Sequence, residues 1–376
     1  ASTVTLIMVC ATVPYIALQM KAISDTMLLL LPDSHVSPQQ LSTLITAILI
    51  TLVIFFDNRR LEGAGYHAGL MTAIAFESLI KLIAMIAIAL LAVVLINQDS
   101  QRLLAAHEAL QTFLAPQLSY RFVLETLISA AAVLCLPRMF HVTFVELVSQ
   151  RHLRIAGFTF PLYLVITALC ILLISIAGTV VFAGQAVPAD TYVMMLPVNA
   201  ANDWLTLLAF IGGVSAATAM IIVACITLSY MLSNDVVLPY LMHRRRFQLV
   251  PAPDYSRAMI NSRRLTVVLV LVMSAVYQTL LANDVRLTDI GLVAFTLAIQ
   301  VCPPMLFGVY SARGNASAAY SSLIAGCSVW FITLMIPLLI QAGLLSSEIQ
   351  SQGLFGIGWL RPDHLFNSGF ADPFSR

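Results

Sequence analysis

Apolar positions along this chain come in long, nearly unbroken runs rather than in amphipathic stripes. A helix needs about 20 predominantly apolar residues to cross a bilayer. Nine runs reach or approach that length, roughly 3–31, 40–56, 70–96, 122–147, 158–184, 204–233, 265–282, 288–310 and 316–341. They predict nine transmembrane helices and an outer tail over 342–376. Between the third and fourth runs, Leu103, Leu104, Leu110, Phe113 and Leu114 gather on one face of a segment that stops at Pro116. That pattern fits an interfacial outer helix. Leu238 to Arg264 is basic and proline-containing, and reads as a cytoplasmic loop.

The fourth run differs from the others. Around residues 131–146 it carries Pro137, Arg138, His141 and Glu146 inside an otherwise apolar sequence. Proline cannot donate a backbone hydrogen bond and its ring clashes with the carbonyl one turn earlier, so the helix must kink or open. In hydrocarbon, freed backbone groups are tolerated only where they face protein or water, and ionisable neighbours mark a ligand or ion path. A broken helix at membrane depth is the best sequence pointer to a transporter's binding site. The eighth run holds a second interruption, Gln300-Val301-Cys302-Pro303-Pro304, whose glutamine is expected to line the same cavity if the break is more than a plain kink.

Composition narrows the class. Hydrophobic residues make up 60% and charged residues 10% of the chain, with a mean hydropathy of +0.93. A soluble domain carries roughly 25% charged residues, so this is an integral membrane protein. The net charge of +1 matters less than where the charges sit. Arg59, Arg60, Arg151, Arg154, Arg244, Arg245, Arg246, Arg257, Arg263, Arg264 and Arg313 fall on one side of the predicted bundle. Arg102, Arg121, Arg286, Arg361 and Arg376 fall on the other, eleven against five. By the positive-inside rule the first side is cytoplasmic, and the tail emerges outside. The six cysteines are scattered singly without a CxxC pair and read as small core residues, with no metal site. The basic loop beside lipid reads as a topology determinant rather than a nucleic-acid site.

Other candidate chemistry is intramembrane. Lys21 and Asp25 lie one turn apart in the first helix, and Glu77 and Lys81 repeat the arrangement in the third with opposite polarity. Such partners share the several kcal/mol that a bare charge costs in a bilayer. The spacing fits both pairs that pin packing and pairs that serve a site. In Gly212-Gly213-Val214-Ser215-Ala216-Ala217-Thr218-Ala219-Met220 the small residues permit close helix approach, while Ser215 and Thr218 share a face on which hydroxyls can coordinate a hard cation. His141 reads either as a satisfied buried histidine or as a proton-linked switch. No phosphate loop, metal-spaced set or hydrolase constellation stands in a plausible context, so no catalytic residue is assigned.

These residues resemble the sodium:solute symporter family. They look most like the transporter-like N-terminal domain of bacterial nutrient-sensing histidine kinases, and they are similar to sodium/proline symporters. The resemblance rests on Val13 to Ser24, Ala75 to Leu82, Cys135 to Thr143, Gly212 to Thr218, Ser233-Asn234-Asp235 and Trp359-Leu360-Arg361-Pro362. It implies an all-α, leucine-transporter-like bundle of two inverted five-helix repeats, with the first two core helices and the last span absent from this chain. A piece of a longer polypeptide is expected, since the chain opens at Ala1 within a span. The resemblance maps a sodium site onto Ser215, Ala216 and Thr218, with Glu77 near an acidic position of sodium-coupled members. It maps substrate-side residues near Phe140 and His141.

The functional expectation is transport or sensing of a small polar solute, an amino acid, coupled to Na⁺ or H⁺ in the bacterial plasma membrane. The candidate cavity residues are Arg138, Phe140, His141, Gln300, Lys81, Lys21 and Asp25. The partners are the lipid bilayer and, through the resemblance, a kinase domain in cis with its response regulator. The alternative is a plain sodium:solute symporter. No cofactor other than the coupling ion is expected.

Overall fold

The computed structural model of the chain describes residues 1–30, 37–57, 68–114, 120–185, 187–243, 252–280, 287–311, 314–341, 343, 345–346, 348–353 and 360–362. Every regular element among them is helical. In chain order these are α1 (Ser2–Leu30), α2 (Pro38–Asp57), α3 (Ala68–Asn97), α4 (Ser100–Leu114), α5 (Tyr120–Cys135) and α6 (Pro137–Phe140). Next come α7 (Gln150–Val181), α8 (Tyr192–Asn199), α9 (Asp203–Leu232), α10 (Leu238–His243) and α11 (Ala252–Leu280). The last are α12 (Leu287–Ile299), α13 (Cys302–Tyr310), α14 (Ala316–Trp330), α15 (Ile336–Gln341) and α16 (Glu348–Gln352).

Among the described residues seven helices are long and apolar enough to cross a membrane. The bent pair Phe122–Cys135 and Pro137–Val145 makes an eighth if it is one span, and Gln39–Phe55 is a shorter apolar helix. The chain is therefore a multi-pass membrane protein. The described residues of the nine runs are mostly helical, but two runs are not simple spans: one is too short by itself, and one is broken at its proline. The expected loop from Leu238 to Arg264 is corrected at both ends, since α10 and the first turns of α11 occupy its described residues. Arg263 and Arg264 are thus helical. The basic cluster Arg244, Arg245 and Arg246 lies outside the described residues, as do Arg59, Arg60, Arg286, Arg313 and most of the tail. The amphipathic segment after the third run forms α4, packed against α3 and α7.

α1 is the centre of the bundle. It packs against α9, α11 and α12 at once, and Met8, Ile16 and Met20 along it are at most 2% exposed. Interhelical hydrogen bonds supplement this packing, as expected where water offers no alternative partner. Ser274 Oγ of α11 donates to the Val13 carbonyl of α1 at 3.1 Å. Gln278 of α11 donates to Ser24 and accepts from Ser42, joining α1, α11 and α2. Thr5 Oγ1 donates to Asp235 Oδ2 at 2.7 Å, which ties the start of α1 to the turn after α9.

Two buried clusters share α9. One gathers α1, α2, α9, α11 and α12 around Ile16, Ile221 and Leu271. The other gathers α3, α4, α7, α8 and α9 around Ile88, Ala177 and Leu196. Close approach at the α3–α9 contact depends on Gly212: a Cβ there would come within 2.8 Å of the Ala84 methyl and 3.9 Å of Lys81 Cα. Outward faces carry Phe76, Leu79, Leu127, Phe158 and Leu169, each exposed. Such a surface suits hydrocarbon and not water.

Candidate functional site: a cavity at a broken helix

The break follows from one residue. Pro137 cannot donate to the Val133 carbonyl, and its ring disfavours helical backbone at the residue before it. Leu136 accordingly adopts extended backbone, with φ −66° and ψ 125°. The chain turns by 56° there and restarts as α6. It then widens into a π-helical turn, His141–Val145, closed by Glu146 N donating to the His141 carbonyl at 3.0 Å. Single π turns inside helices recur at functional sites.

A small cavity lies against the break. It is lined by Thr12 and Tyr15 of α1, Leu136, Pro137, Arg138 and Ala224 of α9, and its volume is about 10 Å³, room for about one water molecule. Tyr15 is 3% exposed, and its hydroxyl donates to Met220 Sδ at 3.1 Å. The Arg138 guanidinium lies over the Tyr15 ring, 4.6 Å from its centre. Arg138 Nε is buried without a hydrogen-bond partner among the described residues.

Glu77 and Lys81 of α3 complete the electrostatics. The charges of Glu77, Lys81 and Arg138 act on one another, and those of Arg138 and Glu77 also reach Tyr15. The structure thus brings Arg138 of α6 within electrostatic reach of Glu77 and Lys81 of α3, two elements distant in sequence. Tyr15, which sequence reasoning missed as a site residue, lines the cavity beside Arg138. Its signal was its place in Pro14-Tyr15, at mid-helix in the most buried span, beside a proline of its own.

Other expected site residues are placed elsewhere. Phe140 is 43% exposed, packs in a tilted pair with Phe144 at 4.9 Å, and is not among the cavity's lining residues. His141 Nε2 meets Glu146 Oε1 at 3.2 Å, and its ring stacks on Tyr230 of α9 at 6.2 Å and 17°. Arg263 of α11 lies over the same tyrosine at 3.9 Å. This array lies toward the end of the bundle that the arginine count assigns to the cytoplasm and does not line the cavity. Gln300 is also removed from it. Its Nε2 donates to the Thr296 carbonyl at 3.1 Å, and its side-chain oxygen abuts Gly326 of α14, so it fills the α12–α14 contact. The two helix interruptions nonetheless meet, because the buried thiols of Cys135 and Cys302 hydrogen-bond to each other.

Lys21 and Asp25 pair at 3.9 Å with Asp25 45% exposed, a weak contact outside the cavity lining. Ser215 and Thr218 are half-buried on α9, and Ala216 between them is buried. They lie within about two helical turns of the Gly212 contact with α3. Compared with family models, curated proteins and solved structures, the chain has no match, and the site stands on its own geometry.

Proposed function

We propose that this chain is the solute-binding membrane part of a secondary transporter or of a sensor derived from one. A small polar solute, an amino acid, binds between α1, the α5–α6 break and α9, and occupancy is coupled to Na⁺ or H⁺. The observation that carries this reading is the 56° break at Pro137, which holds an arginine against a cavity between α1, the break and α9. Ionisable groups within membrane spans mark solute and ion paths rather than packing.

Ligand pockets usually measure about 300–1,000 Å³, against about 10 Å³ here. In this proposal the cavity is closed to solute as it stands, and a solute enters when the α6 segment moves relative to α1 and α9. Ser215, Ala216 and Thr218 of α9, with Glu77 of α3 across the interface, are the proposed ion-coordinating residues. The resemblance to the sodium:solute symporter family adds the inverted-repeat architecture and the output, a histidine kinase in cis. In that output, solute shifts a helix equilibrium only through unequal affinity for its two states. A plain symporter without signalling is the second reading, and a phosphorylation assay separates them: solute-dependent histidine phosphorylation favours sensing.

The test is uptake of radiolabelled amino acids by the parent protein in proteoliposomes under imposed Na⁺ and H⁺ gradients, with thermal stabilisation across the same panel. Accumulation or stabilisation by at least one solute is expected. Neither under any gradient would end the proposal.

A further inference from the structure

Among the described residues, Arg138 is the one charged side chain that lines the cavity, and no carboxylate lies within ion-pairing distance of it. Its buried Nε has no hydrogen-bond partner among the described residues either. An unmatched guanidinium inside a bilayer is expensive, and a buried N–H left unpaired adds to that expense.

The packing also fixes which way the guanidinium can be used. The Tyr15 ring takes one face of it at 4.6 Å. The ring itself is pinned, since its hydroxyl is committed to Met220 and it packs against Phe295 at 6.1 Å. A guanidinium held by its face keeps its N–H edge free, and that edge matches the two oxygens of a carboxylate in a forked contact. Lysine at this position would offer a point charge without the fork.

We propose that the cavity beside Pro137 recognises the carboxylate of its solute, with Arg138 as the anchoring cation and the Tyr15 ring as the platform that orients it. The proposal rests on the solute-binding reading above and narrows it to one ligand group. Lys81 of α3 is outside the cavity lining and is not the anchor. A neutral amide of the same shape leaves the guanidinium uncompensated and is rejected, because a site built for a charged partner discriminates strongly against its absence.

The experiment uses the full parent polypeptide in nanodiscs. Thermal stabilisation and Kd are measured for the standard L-amino acids, the C-terminal amide of each, and acetate, propionate and pyruvate. Carboxylates are expected to stabilise the wild-type protein while the matching amides do not. Arg138→Gln is expected to weaken carboxylate binding by about 10- to 100-fold, the loss of one charged contact, with Arg138→Lys recovering only part. The carboxylate–amide comparison needs no variant, so it decides the matter even if Arg138→Gln does not fold. If amides bind as tightly as acids, or if folded Arg138→Gln keeps wild-type affinity for acids, the carboxylate anchor is wrong while solute binding stands. If no acid, amide or amino acid binds at all, both fall together.

Discussion

Single residues decide the geometry of this bundle at two contrasting kinds of position. Gly212 faces α3, where an added methyl would collide with Ala84, whereas a Cβ on neighbouring Gly213 meets nothing within 4 Å. Gly212→Val is therefore expected to destabilise the folded protein by about 1–3 kcal/mol through overpacking. Gly213→Val has open space and is expected to change stability by well under that amount; thermal unfolding in detergent compares the two. Equal effects would mean that helix propensity, and not the α3–α9 contact, governs the site. From sequence the two glycines look alike, because a small-residue string states that some face is close-packed but not which one. The same limit explains Gln300. Its polarity at a helix break pointed toward a cavity, yet a glutamine can also satisfy itself on the carbonyl one turn back, as this one does on Thr296.

The element that was most legible is the broken helix, since proline chemistry alone dictates an extended residue before it and a bend after it. What followed the break was not legible. The periodic pattern gave no sign of the π turn at His141–Val145, and Phe140 is exposed and not among the cavity's lining residues. The bend at Pro137 re-aims the helix that restarts there, so a face carried over from α5 by counting in turns of 3.6 residues slips before the π turn begins. His141, at the head of the π turn, stacks on Tyr230 of α9, which Arg263 of α11 also covers, so one aromatic ring joins the three. A shared ring of this kind is worth about 1 kcal/mol. Tyr230→Leu, which keeps the bulk and removes the ring, is expected to raise the maleimide labelling rate of a Thr143→Cys reporter by about fivefold. An unchanged rate would show that the array does not hold that end shut.

For the whole molecule, apolar run length was enough to establish a multi-pass helical protein, with seven helices among the described residues long and apolar enough to span against the nine runs expected. It was not enough to say which span is central. α1 looks no more special in sequence than α3 or α7, and its burial comes from neighbours far along the chain. Hydrogen exchange in detergent is expected to be slowest in α1 and in the Ile221–Leu228 part of α9, and faster in α10 and α13, where fewer buried contacts resist local opening. Exchange in α1 as fast as in α13 would contradict the arrangement. The candidate site could be assembled only with this architecture in hand: Tyr15, Glu77, Lys81 and Arg138 come from three separate spans, and nothing in their local sequence shows that they meet.

One helix, α9, contributes to both packing clusters. Neither half of the bundle can then slide past the other as a free unit; any rocking between them must tilt this shared strut or bend it. Its tail, tethered through Asp235 to the first turn of α1, would carry such a tilt to the membrane surface as a tug on the central helix.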